Sequence, residues 1–563
     1  MKRFLFLFSL CFLIPAAQTF AAPQLQQGAI VNAASFAIAG APNSAIAQGS
    51  LFTVFGVDVG PANAVNANQF PLPTTLGGVS IRVTAGGQDY DCVILFSLST
   101  QVSAILPSNV PAGEATLVLT YNGEDSNAIT FAVTDHMAGV FSRSSTGAGQ
   151  AVVQNYISPD NQPANTLNAA AQPNQVVIVW TTGLGKSLND DDRNPPAPGN
   201  LLPLDQLKVY VGGKESTIEY AGRSGCCSGV DQINIKVPEG VEGCFVPLVV
   251  SVNGVPSNFT TMSINAGSTT CDGAYGLSSS ELDELSSKER VRTGLISLIR
   301  SRSEVSGLSF TSDLGNATFQ EYNQGAVSSS GSVFGNSGFT VGSCLVRTYS
   351  FDVDSGDDTE APDPADVFLL RDLDAGAAIN ISGPKGERQL AKITNTNGSY
   401  LGFLTSPLNP FESYLDPGTY GVNNGAGGAD VGAFAFTENL PAFYQWTNKA
   451  AITTISRSQS LTVTWTPTNN ASGGISIVGT SYSIPKKVAS ALYCYADPAL
   501  GTFTIPSHIL SGMVQSDAGG VSDFPAGSLT VGGVADPKYF TAPGLDLGLF
   551  TVSSVETKSV VFQ

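Results

Sequence analysis

Along most of the chain, apolar positions alternate with polar ones or gather in short runs that end at Gly, Pro, Asn or Asp. Leu51–Phe55, Val79–Val83, Ala115–Tyr121 and Val176–Trp180 are runs of this kind, rich in β-branched and aromatic residues. Period-two alternation puts one face of an extended segment into a core, so the pattern predicts strands. Tyr121-Asn122-Gly123 and Val252-Asn253-Gly254 carry the Asn-Gly pair, whose residues tolerate positive φ, and predict tight hairpin turns. Strands at this spacing predict β-sandwiches. One stretch departs from the pattern. Between Ser279 and Arg302, Leu282, Leu285, Val291, Leu295 and Leu298 fall at helical spacing, with Ser280 and Asp283 as a capping signal. That spacing predicts one or two short helices.

The chain also repeats itself. Gln101–Pro107 recurs as Gln232–Pro238, 131 residues further on, and the same offset carries Asn122-Gly123 to Asn253-Gly254 and Ser126-Asn127 to Ser257-Asn258. Gly86-Gly87 matches Gly212-Gly213 at the shorter offset of 126. The difference falls where the second copy carries its Cys226-Cys227 loop. Two related sandwiches are therefore expected, at 27–138 and 139–266.

The motifs Asn32–Phe36, Leu72–Val79, Gln101–Pro107, Thr182–Gly185, Val209–Gly213 and Gln232–Pro238, in that order, resemble the Solibacter-type family of secreted domains. Its halves look like the immunoglobulin-like domains of plexins and transcription factors (IPT/TIG domains). The resemblance spans about 27–266. It implies an immunoglobulin-like fold and an exterior location, and it brings no catalytic residues. Gly398–Leu404 followed by Leu415–Val422 is similar to prealbumin-like seven-stranded domains. The resulting expectation is an all-β chain of tandem immunoglobulin-like sandwiches. A Cys-containing, helical linker at 267–306 separates the first pair from β-sandwiches at 307–440 and 441–563.

Composition narrows the function. Of 563 residues only 13% are charged and 42% are hydrophobic, enough apolar material for several cores. A net charge of −19 disfavours nucleic acid and anionic membranes as partners. Lys2 and Arg3 followed by the apolar run Phe4–Ile14 read as a signal peptide ending at Ala21, too short to span a bilayer. No later segment reads as transmembrane, so the protein is expected to be secreted or at the cell surface. In an oxidising compartment cysteines read first as bridges. Cys226, Cys227, Cys244 and Cys271 form a cluster able to make two, with the bond between the adjacent Cys226 and Cys227 the least favoured of the pairings. Cys344 and Cys494 are candidates to close a long loop, leaving Cys92 as a buried thiol. Zinc is disfavoured, because the cluster lacks two close pairs of the usual spacing.

Catalytic motifs are weak. The strand Val176–Trp180 runs into Gly183-Leu184-Gly185-Lys186-Ser187, but the first glycine of a phosphate loop would fall at Trp180. No Gly-x-Ser-x-Gly elbow occurs. The two histidines, His136 and His508, read as structural or solvent-facing. The chain is accordingly expected to be a non-enzymatic binding or scaffold protein for adhesion or extracellular recognition, with a carbohydrate-binding or polysaccharide-degrading protein as the alternative. Its partner would be an extracellular protein or polysaccharide, and no cofactor is expected except calcium. Seven carboxylates lie in the 15 residues from Asp352 to Asp366, with Asp352, Asp354, Asp357, Asp358 and Glu360 the calcium candidates. Asn189–Asp192 is a smaller acidic cluster. Tyr444 and Trp446 are candidates for stacking on a sugar.

Overall fold

The structure is a computed structural model that describes residues 22–187, 192–195, 197–271, 277–305, 308–323, 340–350, 369–405, 413–440, 442, 444–467, 473–517 and 526–563. It is all-β, a tandem of immunoglobulin-like sandwiches with a short helix, Ser279–Ser287, between the first pair and the rest. In the first sandwich, Gln24–Asn32, Leu51–Val57, Gln101–Ile105 and Val93–Leu98 form one sheet. The other is built on Ile129–Thr134, Gly113–Tyr121 and Val79–Ala85. Alternation does what the sequence predicts: Val79, Ile81 and Val83 point inward against Phe52, Val54, Ile94 and Val102. The second sandwich repeats the plan. Val176–Thr182, Asp231–Lys236 and Thr217–Arg223 lie in one sheet, and Leu207–Val211 and Gly243–Val252 in the other.

The repeated residues have physical reasons. Asn122 and Gly123 sit at φ 50° and 90°, and Asn253 and Gly254 at 51° and 81°, a conformation that Asn and Gly reach at least cost. The repeated Ser-Asn pair is a clip. Asn127 exchanges two 2.8 Å hydrogen bonds with the backbone of Leu25 in the first strand of its sandwich. Asn258 does the same with Val140, at 2.8 and 2.9 Å, and donates a third bond to the Gly147 carbonyl. The serines turn back into the neighbouring strand: Leu119 N–H donates to Ser126 Oγ, and Val250 N–H to Ser257 Oγ.

The expected helical linker needs correcting. Among the described residues of that stretch only Ser279–Ser287 is helical, capped by Ser278 with Glu281 rather than by Ser280 and Asp283. Arg290–Val305 is instead a sixteen-residue strand, paired antiparallel to Leu308–Asn323 and parallel to Leu547–Ser559. Val291 and Thr293 are buried, and from Gly294 onwards the buried positions run Gly294, Ile296, Leu298 and Arg300, a period of two. The last is an arginine that reads as polar in sequence, so the alternation is hidden. Arg300 is buried because it grips Asp313 on the neighbouring strand with two hydrogen bonds, at 2.9 and 3.0 Å. Gly294 admits the ring of Phe319, which a Cβ would meet at 2.7 Å. This strand lies within a 14-stranded sheet that runs from Ser343–Ser350 through Leu547–Ser559 and Arg290–Val305 to Ala435–Leu440. The sheet carries two cores, one around Tyr400, Tyr414 and Tyr420 and one around Trp446, Trp465 and Phe562.

The two clips differ in exposure, which sets up a comparison. Asn258 is buried and Asn127 is exposed. Asn258→Ala strands buried backbone groups and is expected to cost about 2–4 kcal/mol, against about 1 kcal/mol for Asn127→Ala. Urea denaturation of both variants checks the ranking.

Candidate functional site

The run Gly183–Ser187, the strongest motif in the sequence, lies where the first two sandwiches meet. Gly183 has φ 93°, and a Cβ there would lie 2.0 Å from the Met137 carbonyl oxygen, so only glycine fits. Leu184 N–H donates to Asp231 Oδ2 at 2.8 Å, and the Leu184 carbonyl lies 2.7 Å from His136 Nδ1. The Gly185 carbonyl accepts from Arg223 Nη2 at 3.0 Å, and Ser187 N–H donates to Ser108 Oγ at 2.8 Å. What resembles a phosphate loop is thus a strap whose backbone groups are taken up by the seam.

Arg223 and Asp231 face each other across adjacent strands, with Nη1 and Oδ1 2.7 Å apart and both side chains buried. Burial pushes the Asp231 carboxyl up to about 6, against the pull of Arg223 and the Leu184 and Gly183 N–H groups. Asp192 reaches across to the first sandwich, accepting from Ser108 N–H and Ser108 Oγ at 2.8 Å each. Leu51 N–H, at the start of a strand in the first sandwich, donates to Thr182 Oγ1 at 2.9 Å. Of the smaller acidic cluster, Asp192 therefore serves as a clamp, while residues 189–191 lie outside the described residues.

Three disulfides are formed, and one corrects the expected pairing. Cys344–Cys494 closes as expected. Cys244 bonds Cys271 inside an apolar cluster with Phe245, Leu167 and Leu277, which leaves Cys226 and Cys227 bonded to each other in an exposed loop. The disfavoured neighbour pair forms because Cys244 and Cys271 are sequestered together in that cluster. Cys92 is free and buried, and burial pushes its thiol up, away from reactivity. The aromatic platform is also corrected. Trp446 is 5% exposed, packs in the last core and donates from Nε1 to Asn448 Oδ1. Tyr444 packs against the same core. Apolar area draws the Trp446 ring inward, so it offers no open stacking face, while Tyr444 stays half-buried. Asp352, Asp354, Asp357, Asp358 and Glu360 lie outside the described residues, as do residues 1–21. Among the described residues there is no group of three or more His, Cys, Asp and Glu side chains placed to hold a metal ion. No described helix is long and apolar enough to cross a membrane.

Sequence reasoning missed one site. Between the second sandwich and the C-terminal sheet is a cavity of about 530 Å³. The strand Leu207–Val211 buries Leu207, Val209 and Val211, and its alternation turns Lys208 and Tyr210 towards the cavity. Opposite, the helical turn Ser507–Leu510 is anchored by buried Ile509 and Leu510, which leaves His508 stacked on Tyr210 with ring centroids 3.6 Å apart. Burial, then the nearby Lys208 ammonium, lowers the His508 imidazole to about 4, with Glu215 opposing. Its Nε2 is buried without a partner, as is Nε of Arg457. Ser511 Oγ donates to the Gly254 carbonyl at 3.0 Å, tying the two sides together. Lone histidines carry no spacing signal, so nothing in the sequence marks this meeting.

No family model and no curated protein matches the chain. Among solved structures, it is similar to domains 5–6 of the S-layer protein SbsC, at 12% identity over 44% of this chain and 100% of that one, with a TM-score of 0.17. It is also similar to titin domains I67–I69 (7% identity, 75% of this chain and 98% of that one, TM-score 0.13). Sidekick-1 immunoglobulin domains 1–4 give 8% identity over 96% and 99%, with a TM-score of 0.11. At such TM-scores these likenesses carry no argument, and the fold rests on the strands and cores themselves.

The His508 seam predicts a pH effect whose sign follows from proton binding. An unfolded imidazole protonates near 6.5 and the folded one only near 4, so the unfolded state holds the extra proton between those values. This contribution to stability is present above about 6.5 and is lost as the pH falls through that window. Thermal melts of wild type and His508→Gln across pH 4–7 are expected to diverge, with the wild type losing more stability towards acid. Parallel curves would contradict the assignment.

Proposed function

We propose that the protein is a secreted or cell-surface, non-enzymatic binding and scaffold protein for adhesion or extracellular recognition, of the kind its likeness to the Solibacter-type secreted domains implies. The observation that carries this reading is the seam of the first two sandwiches. Its conspicuous polar residues are consumed there: Asp192 with Ser108 and His136 with the Leu184 carbonyl bond across from sandwich to sandwich, and Arg223 and Asp231 hold the strap that His136 and Ser108 meet. Three disulfides fit an oxidising exterior. A stiff sandwich tandem that projects loops is a display framework, since binding surfaces reside in loops held by a rigid scaffold. Calcium bound by the Asp352–Glu360 cluster would stiffen that segment.

The test is affinity electrophoresis of the purified protein against a polysaccharide panel, with calcium and with chelator, while released sugar is assayed. No sugar release from any polysaccharide is expected. Retardation on one gel would place the partner among polysaccharides, and its absence on all would place it among proteins. Released reducing sugar would contradict the non-enzymatic reading.

A further inference from the structure

We propose that the cavity between Tyr210 and Arg457 is a binding site for a single carboxylate carried on a sugar, that is, for a uronic acid residue. The argument begins with an arginine that has no acid to pair with. Arg223 faces Asp231 at 2.7 Å and Arg300 faces Asp313 at 2.9 Å, as the cost of burying a guanidinium requires. Arg457 is half-buried and pairs with no carboxylate among the described residues. Its Nη2 donates to the Ser511 carbonyl at 3.1 Å, and its Nε–H is buried with no acceptor. Burial alone pulls on its acidity, with no charged neighbour opposing. The loop is held in place, since Arg457 N–H donates to the Gln563 carbonyl at 2.8 Å. In a chain with 45 acids and 26 bases, a cavity arginine that pairs with no described acid, though Asp205 lines the same cavity, is one whose acid comes from outside.

The remaining lining says what kind of acid. A carboxylate fits the planar fork of a guanidinium, which offers parallel N–H donors. Around it stand neutral groups suited to hydroxyls: Ser458, Ser507, Asn253 and Gln206. Lys208 lines the cavity, but its ammonium is held 3.0 Å from Glu215 and adds little net charge. Asp205 also lines it and repels a doubly charged group, which favours a monocarboxylate over phosphate. At about 530 Å³ the volume lies within the range of small-ligand sites. The site goes beyond the scaffold reading, because a non-enzymatic framework and a hydrolase alike can carry it.

The test uses the whole protein and isothermal titration calorimetry with glucuronate, glucose and inorganic phosphate. Glucuronate is expected to bind at least about ten-fold more tightly than either glucose or phosphate, the worth of one charge-assisted pair. Arg457→Gln is expected to remove that preference, and Arg457→Lys, which keeps the charge but loses the fork, to restore only part of it. Unchanged thermal melts establish that both variants are folded. Equal affinity for glucuronate and glucose in the wild type, which needs no variant, would overturn the proposal. So would no heat with glucuronate at about 10 mM, or full glucuronate affinity in Arg457→Gln. These outcomes are independent of the sugar-release assay, so this site and the non-enzymatic reading fail separately.

Discussion

The arrangement of the first half of the molecule depends on one buried ion pair, Arg223 with Asp231. Taking both charges out of water is costly, and a well-packed apolar pair would often be as stable. What the pair supplies is intolerance of opening. Arg223 holds the Gly185 carbonyl and Asp231 holds the Leu184 N–H, so the two side chains grip the strap Gly183–Ser187. That strap in turn holds Ser108 and His136. Swinging one sandwich away from the other would leave several buried donors and acceptors without partners at once. A hinge between immunoglobulin-like units is commonly a few exposed residues, whereas here it is a set of satisfied buried polar groups.

The C-terminal sheet extends the same logic with different chemistry. Asp313 ties Arg300 to the backbone of Leu415, 102 residues further along the chain, and Glu321 collects Arg290, Arg292 and Arg371. These pairs fix which strands neighbour one another in a sheet where the last long strand returns to lie beside the first. Against the second sandwich the contact is mixed. It joins a buried apolar cluster, where Leu167, Cys244 and Phe245 meet Val291, Tyr322 and Leu547, to the Tyr210–His508 stack, the Ser511–Gly254 hydrogen bond and Phe259 packed on the last core, and beside these it leaves a polar cavity open. The open polar part of that contact, rather than its apolar cluster, is where a ligand has room.

Much of this was legible in the residues. Period-two alternation and the Asn-Gly turns marked the strands, and the 131-residue offset marked the duplication before any contact was known. The repeated Ser126-Asn127 and Ser257-Asn258 pairs were visible as well, though their role as clips required the geometry. Other features were hidden for physical reasons. Arg300 looks polar, so the alternation of Arg290–Val305 read as helical spacing. Trp446 sits beside turn residues and looked free, but Trp465 and Ile475 in the same core draw it inward. The pairing of Cys226 with Cys227 followed from where Cys244 and Cys271 came to rest. Arg457 and His508 are 51 residues apart with Tyr210 much earlier, and no local pattern brings them together.

The central claim is that the tandem sandwiches move as one body because their seam is closed by buried polar groups. Small-angle X-ray scattering of the protein in solution tests it directly. The account predicts a scattering curve that one rigid arrangement of the first two sandwiches fits, unchanged between low and high salt, because the pairs that hold the seam are shielded from it. A curve that only an ensemble of differently oriented sandwiches can fit would contradict it.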